Sequence, residues 1–192
     1  AKLPVVPATP GNLSDEELIN AAGDVGYPLM VKAVNGGGGM GIRLVEKSED
    51  LPESLRKARA QALNAFGDQD VYLERFVGGA SHVEVQILGD HHGNLIHIFE
   101  RDCSLQRRHQ KVLEESPCSK LTSAQRRTIT AAALRLAKKV GYTNAGTVEF
   151  LVVPGGAYYF LEVNTRLQVE HPVTEMITGL DLVEQQLRVA AG

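Results

Sequence analysis

Val148-Glu149-Phe150-Leu151-Val152-Val153-Pro154-Gly155-Gly156-Ala157-Tyr158-Tyr159-Phe160-Leu161-Glu162-Val163-Asn164-Thr165-Arg166-Leu167-Gln168-Val169-Glu170-His171 holds two runs rich in β-branched and aromatic residues around a Pro-Gly-Gly-Ala break. The pattern predicts an antiparallel hairpin with a short loop. With Val153 facing Tyr158, the register sets Glu149 opposite Glu162, with paired Cβ atoms about 4.5–5.5 Å apart. Like charges that close repel, so the pair shares a proton, turns one carboxylate to solvent, or holds a cation. Asn164 projects from the same strand face and adds a neutral oxygen. Three hard oxygen donors suit Mg²⁺ or Mn²⁺ better than zinc. The plainer alternative is two solvated acids on the wet face of a sheet. Arg166, Gln168 and Glu170 continue the two-residue spacing, and an extended segment would line a guanidinium, an amide and an acid along one side, a row suited to a polar substrate.

Working outward, the 192-residue chain is 43% hydrophobic and 22% charged, an ordinary globular composition with room for one core or two small ones. No run of eighteen apolar residues is present, so a soluble chain is expected. The net charge of −3 argues against nucleic acid or an anionic membrane as a general partner. Two cysteines, Cys103 and Cys118, without a Cys-x-x-Cys spacing point to a reducing compartment: the cytoplasm, or the mitochondrial matrix in a eukaryote. The opening Ala1-Lys2-Leu3-Pro4 has no initiator Met and no signal-peptide pattern, and reads as the start of a piece from a longer polypeptide.

Ser14-Asp15-Glu16-Glu17 is a capping box, and its helix should run to Val25 before Gly26 and Pro28. Residues 29–34 read as a strand, followed by Asn35-Gly36-Gly37-Gly38-Gly39-Met40-Gly41 and a second strand at 42–45. Strand-glycines-strand is neither a Rossmann turn nor a P-loop, both of which need a following helix. The glycines instead form a hairpin tip whose bare amides can close over a polyphosphate. Protein kinases also use such a hairpin, but the His-Arg-Asp and Asp-Phe-Gly signatures are missing. Lys32 precedes the flap, either to pair with phosphates or as a solvent-facing strand lysine.

An amphipathic helix spans 48–66 with Leu51, Leu55, Ala58, Ala62 and Phe66 on one face, and a strand follows at 71–77. Residues 82–88 alternate, with Val83, Val85 and Ile87 on one side and His82, Glu84 and Gln86 on the other. They pair through a turn with 95–99, in which His91-His92 is polar punctuation rather than a metal site. If extended, Arg101 to Lys111 aligns Arg107, His109 and Lys111, either as an anion site or as a charged edge strand. Thr122-Ser123-Ala124-Gln125 caps a helix with Ile129, Ala132, Ala133, Leu136 and Val140 on one face, ending at Gly141. A last helix covers about 181–191. Hairpins mixed with long helices, without regular alternation, predict an α+β fold of mainly antiparallel sheets.

Four stretches together closely resemble the ATP-grasp core of biotin carboxylase, as found in acetyl-CoA, propionyl-CoA, methylcrotonyl-CoA and pyruvate carboxylases. They are Val31-Lys32-Ala33 with the glycine run, Glu100 through Lys111, Gly146-Thr147-Val148-Glu149-Phe150, and Glu162 through Glu175. The resemblance implies two lobes with nucleotide between them, a flap lobe over about 28–80 and a metal- and bicarbonate-binding lobe over 81–192. It also implies N- and C-terminal domains outside residues 1–192, so this core alone is expected to turn over slowly or not at all. By position, Lys32 and Gly36, Gly37, Gly38, Gly39 and Gly41 would grip the phosphates of ATP. Glu74, Val77 and His82, with Gln106 and His109, would hold the rest of the nucleotide. Glu149, Glu162 and Asn164 would bind Mg²⁺ or Mn²⁺. Lys111 and Arg166, with Gln168 and the Val169 amide, would bind bicarbonate, and Glu170 would be its general base. The implied reaction makes carboxyphosphate and carboxylates biotin on a carrier protein or domain, with a carboxyltransferase as further partner and an oligomeric parent enzyme. Met40 departs from the pattern, since many relatives carry a basic residue there. The rival within the fold is a carbamoyl-phosphate synthetase half, with ammonia as acceptor; the rival outside it is a non-catalytic fragment.

Overall fold

The computed structural model describes residues 1–36, 41–108 and 110–192. Gly37, Gly38, Gly39 and Met40 of the expected flap, and His109, lie outside the described residues. The chain forms two compact units: Val6–Gly78 with Arg108–Gln110, and Ala1–Val5 with Gly79–Arg107 and Lys111–Gly192.

The smaller unit holds α1 (Asp15–Val25), β1 (Leu29–Ala33), β2 (Arg43–Val45), a 3₁₀ turn at Ser48–Asp50, α2 (Leu51–Phe66) and β3 (Val71–Arg75). The capping box forms as read: Ser14 Oγ accepts from the Glu17 amide at 3.3 Å, and the Glu17 carboxylate accepts from the Ser14 amide at 2.8 Å. The strands make an antiparallel sheet in the order β2-β1-β3. Leu29, Val31, Val71 and Leu73 pack from this sheet against Leu18 and Ala22 of α1 and Leu51, Leu55, Ala58 and Ala62 of α2. The left-handed Gly67 (φ 72°) closes α2, a conformation that costs a glycine little.

In the larger unit, β4 (Ser81–Gly89), β5 (Leu95–Arg107), β6 (Gln110–Glu115), β7 (Asn144–Val152) and β8 (Tyr158–Asn164) form one antiparallel sheet in the order β6-β5-β4-β7-β8. Three helices belong to it: α3 (Ser123–Lys139), α4 (His171–Thr178) and α5 (Leu182–Ala191). Val83, Val85, Ile87, Val148, Phe150 and Val152 line one face and pack with Ile129, Ala132, Ala133 and Ala137 of α3. Val140, expected on that helix face, is 65% exposed because α3 ends at Lys139 and Val140 is its C-cap.

Several expectations need correcting. β5 continues from Leu95 to Arg107 instead of stopping at Phe99. The chain then reverses at Arg108 (φ 54°), so Arg107 and Lys111 lie on different strands and not on one extended face. The hairpin begins one residue earlier than read, with Val152 rather than Val153 opposite Tyr158. A bulge at Leu161, between the pairs Phe150↔Phe160 and Glu149↔Glu162, restores the expected pairing of the two acids. The strand ends at Asn164, so the extended row from Arg166 to Glu170 does not form. Glu170 instead becomes the N-cap of α4, a helix whose Pro172 occupies its first turn.

Candidate functional site

Register alone builds the centre of the site. Arg101 on β5 pairs with Glu84 on β4, Glu84 with Glu149 on β7, and Glu149 with Glu162 on β8. A row of one cation and three acids thus crosses four strands on the face opposite α3. Gly146, three residues before Glu149 on β7 and paired with Ile87 on the α3 side of the sheet, tolerates no side chain: a Cβ there would lie 2.9 Å from the Asn164 carbonyl oxygen and closer still to the Tyr142 hydroxyl.

Lys111 reaches into this row from edge strand β6. Its ammonium stands 2.6 Å from Glu84 Oε2, 2.8 Å from Glu149 Oε1 and 2.6 Å from Glu170 Oε1. Burial pushes the lysine pKa down, but the Glu84 charge and the bonds to Glu149 and Glu170 outweigh burial and hold it above the ordinary lysine range. Glu84 goes the other way: its complete burial outweighs Arg101 and Lys111 and keeps its pKa above the usual carboxylate value. For Glu149, burial raises the pKa, while the His82 bond and the Lys111 ammonium lower it to about 2.

Glu149 is held on every side. Oε1 accepts from Lys111, from Asn164 Nδ2 at 2.9 Å and from Gln168 Nε2 at 3.2 Å; Oε2 meets His82 Nε2 at 2.5 Å. Gln106 decides the histidine tautomer. Its Nε2 donates to the Cys103 carbonyl at 2.9 Å and lies 2.7 Å from His82 Nδ1, which must therefore accept. The His82 proton is left on Nε2, facing Glu149.

The oxygen donors of Glu149, Glu162 and Asn164 fit a hard divalent ion: the acids are cross-strand partners, and Asn164 donates to Glu149 through its nitrogen, which leaves its amide oxygen for a cation. Among the described residues, Glu84, Cys103 and Glu170 also have donor atoms within 4.8 Å of one another. That trio does not suit a metal. Lys111 already supplies its cation, and burial drives the Cys103 thiol pKa far upward, so it stays protonated.

The structure brings Lys111, Glu149, Glu170, His82, Gln106, Asn164 and Gln168 together. Gln168 is buried and also accepts from Thr147 Oγ1 at 2.8 Å. Glu162 is exposed, as are Arg166, whose Nη1 donates to the Leu167 carbonyl, and Val169. In the smaller unit, Lys32 pairs with Glu74 at 2.9 Å, so it is not the free surface lysine of the plainer reading. Gly36 closes a turn onto the Ala33 carbonyl, Gly41 has φ 77°, and Val77 follows β3 half-buried. Sequence reasoning gave no role to Glu84 and Gln86, read only as the polar face of their strand, nor to Arg101 and Thr174; all four are buried polar groups. The signal for Glu84 was present, since a polar face on a central strand opposite Glu149 must meet counter-charges.

A family model described as "Carbamoyl-phosphate synthase L chain, ATP binding domain" matches residues 1–192. The chain belongs to this family. As a member of this ATP-binding domain family it is 55% identical to pyruvate carboxylase 1 of Caenorhabditis elegans over its whole length, covering 16% of that protein. It is 53% identical to biotin carboxylase 2 of Bacillus subtilis, again over its whole length, covering 44% of that protein. Among solved structures, the biotin carboxylase-βγ-ATP complex from Campylobacter jejuni matches with a TM-score of 0.95 at 46% identity, over 99% of this chain and 43% of that one. The biotin carboxylase domain dimer of Hydrogenobacter thermophilus 2-oxoglutarate carboxylase, with MgADP, ADP and bicarbonate, matches at 0.94 and 48%, over 99% and 42%. The fold is the ATP-grasp fold of these domains. The ATP-binding domain spans less than half the length of these curated relatives. Among the described residues no helix is long and apolar enough to cross a membrane.

Proposed function

We propose that residues 1–192 are the ATP- and metal-binding core of a biotin carboxylase, which uses ATP and bicarbonate to carboxylate biotin on a carrier protein or domain. The observation that carries this reading is the placement of the Lys111 ammonium 2.6 Å from Glu170 Oε1, among the buried acids Glu84, Glu149 and Glu170. An anion drawn to Lys111 is thereby brought beside a carboxylate able to take its proton. Bicarbonate becomes a competent nucleophile only once that proton leaves, and positioning does much of the remaining work. Lys111, Arg166, Gln168 and the Val169 amide bind the anion; Glu170 is the base. Residues 81–192 thus supply the metal and bicarbonate groups.

Residues 28–80 supply the phosphate grip, through Lys32 and the glycines 36–39 and 41, with Glu74 and Val77, and with His82, Gln106 and His109 beyond them, holding the nucleotide. Glu149, Glu162 and Asn164 would hold Mg²⁺ or Mn²⁺, which would supply charge neutralisation for phosphoryl transfer. The C. elegans and B. subtilis relatives, a pyruvate carboxylase and a biotin carboxylase, favour biotin over ammonia as the acceptor. A biotin carrier and a carboxyltransferase follow as partners, in an oligomeric enzyme of the cytoplasm or, as for the rat methylcrotonoyl-CoA carboxylase subunit alpha, of mitochondria.

The test uses a complete carboxylase polypeptide carrying this chain. ATP cleavage should require bicarbonate and rise with free biotin. ATP cleavage that ignores biotin but yields carbamoyl phosphate from ammonia would replace this reading with the carbamoyl-phosphate synthetase one, and a folded protein that fails to bind Mg-ATP by calorimetry would leave a non-catalytic fragment.

A further inference from the structure

Among the described residues Arg101 is the largest fully buried side chain, and none of the roles above uses it. Its Nε donates to Glu84 Oε1 at 2.5 Å, while Nη1 donates to Gln86 Oε1 at 2.9 Å and to Thr174 Oγ1 at 2.7 Å. Glu84 spends its other oxygen on Lys111. Thr174 lies one helical turn beyond Glu170 in α4, on the same side of the helix, and the Val173 amide donates back to the Glu170 carbonyl. One guanidinium therefore ends two short chains of contact. One runs through Glu84 to the bicarbonate-binding ammonium; the other runs through Thr174 and the first turn of α4 to the general base.

Stability alone is a poor reason for this arrangement. Burying a guanidinium and a carboxylate together costs desolvation that their attraction only roughly offsets, and well-packed apolar residues of similar volume often do as well or better. The cost is visible here, because Arg101 Nη2 is buried without a hydrogen-bond partner. What apolar packing cannot supply is a rigid fork that holds a carboxylate on one strand and a hydroxyl on a helix at the same time. A lysine cannot do this either, since its single ammonium has no fixed angle between donors.

We propose that Arg101 is a positioning residue for bicarbonate activation, fixing Lys111 through Glu84 and Glu170 through Thr174 so that anion and base meet at bonding distance. The proposal rests on the biotin carboxylase reading of the same site. It assigns a function to the buried Arg in the Glu100-Arg101-Asp102-Cys103 stretch that fold maintenance does not explain.

The experiment measures steady-state ATP cleavage with free biotin in the complete polypeptide, for wild type, Thr174→Val, Thr174→Ser and Arg101→Lys. Thr174→Val removes the hydroxyl without changing side-chain shape and leaves Glu84 paired. It should lower kcat/KM for bicarbonate roughly tenfold, the scale of one hydrogen bond to a charged group, with the KM for Mg-ATP within about twofold of wild type. Thr174→Ser keeps the hydroxyl and should restore most of the loss, while Arg101→Lys should exceed it. Should Arg101→Lys fail to fold, the Thr174 pair decides. A wild-type bicarbonate dependence with an unchanged Thr174→Val variant, or with equal losses toward bicarbonate and Mg-ATP, would overturn the role of Arg101 alone. Wild-type activity without bicarbonate dependence would instead overturn the reading on which it rests.

Discussion

Lys111 and Lys32 are both half-buried lysines on strands, both predicted to meet an anion, and both held above the ordinary lysine pKa against the opposing pull of burial. Their company differs. Lys32 has one carboxylate, Glu74, at 2.9 Å, and the Tyr72 ring 5.8 Å from its nitrogen. Lys111 has three carboxylates within 2.8 Å, two of which are themselves tied to Arg101, His82, Asn164 or Gln168. A lysine with a single acid can exchange it for a phosphate at modest cost. One caged by three cannot leave without stranding their charges, so a substrate must be brought to it. The first arrangement suits a nucleotide grip, and the second a preorganised reaction site.

Replacing each lysine should expose this contrast. Lys111→Met leaves buried carboxylates without their shared cation and should cost about 3–5 kcal/mol in urea unfolding, along with bicarbonate-dependent turnover. A loss below about 1 kcal/mol would mean that the cage contributes little beyond a surface ion pair.

Acid titration sharpens the comparison inside the cage. Glu149 has its folded pKa lowered from 4.5 to about 2, so its contribution to stability is complete above the unfolded value and is lost as pH falls toward 2. Glu84 has its folded pKa raised, so its ionisation weakens the fold as pH rises through 4.5. Glu149→Gln should therefore flatten the acid limb of a stability-pH curve, and Glu84→Gln should not. The same response from both variants would contradict the opposed environments.

Lys32→Met should be milder, costing about 1 kcal/mol of stability as a single partly exposed pair while weakening Mg-ATP binding measured by calorimetry. At the bottom of the scale, Arg188→Ala breaks only the exposed pair with Glu184 and should change stability by less than about 0.5 kcal/mol.

How much of this could be read from the residues depends on how local the cause was. Both capping boxes, the apolar face of α2 and the alternation in β4 follow from short-range spacing, and they formed as read. The pairing of Glu149 with Glu162 was anticipated from a loop register one residue out; the bulge at Leu161 compensated, and nothing in Tyr-Phe-Leu-Glu announces a bulge. The turn at Arg108 was hidden because a run of basic residues carries neither glycine nor proline to mark it. α4 was missed because Gln-Val-Glu-His continues the strand alternation up to the residue that caps the helix. Glu84 and Arg101 are 17 residues apart, and their meeting depends on β5 running on past Phe99 and on β4 and β5 pairing around an irregularity near Gln86. A register shift of that kind is set by packing and leaves no mark in the sequence, although the polar face of β4 did signal that Glu84 needs a counter-charge.

The most direct measurement is ATP cleavage with bicarbonate and free biotin by the complete polypeptide carrying Glu170→Gln, alongside Mg-ATP affinity by calorimetry. The account predicts that turnover requiring bicarbonate disappears while nucleotide affinity stays near that of wild type. Undiminished turnover would show that the carboxylate beside Lys111 takes no proton from the substrate.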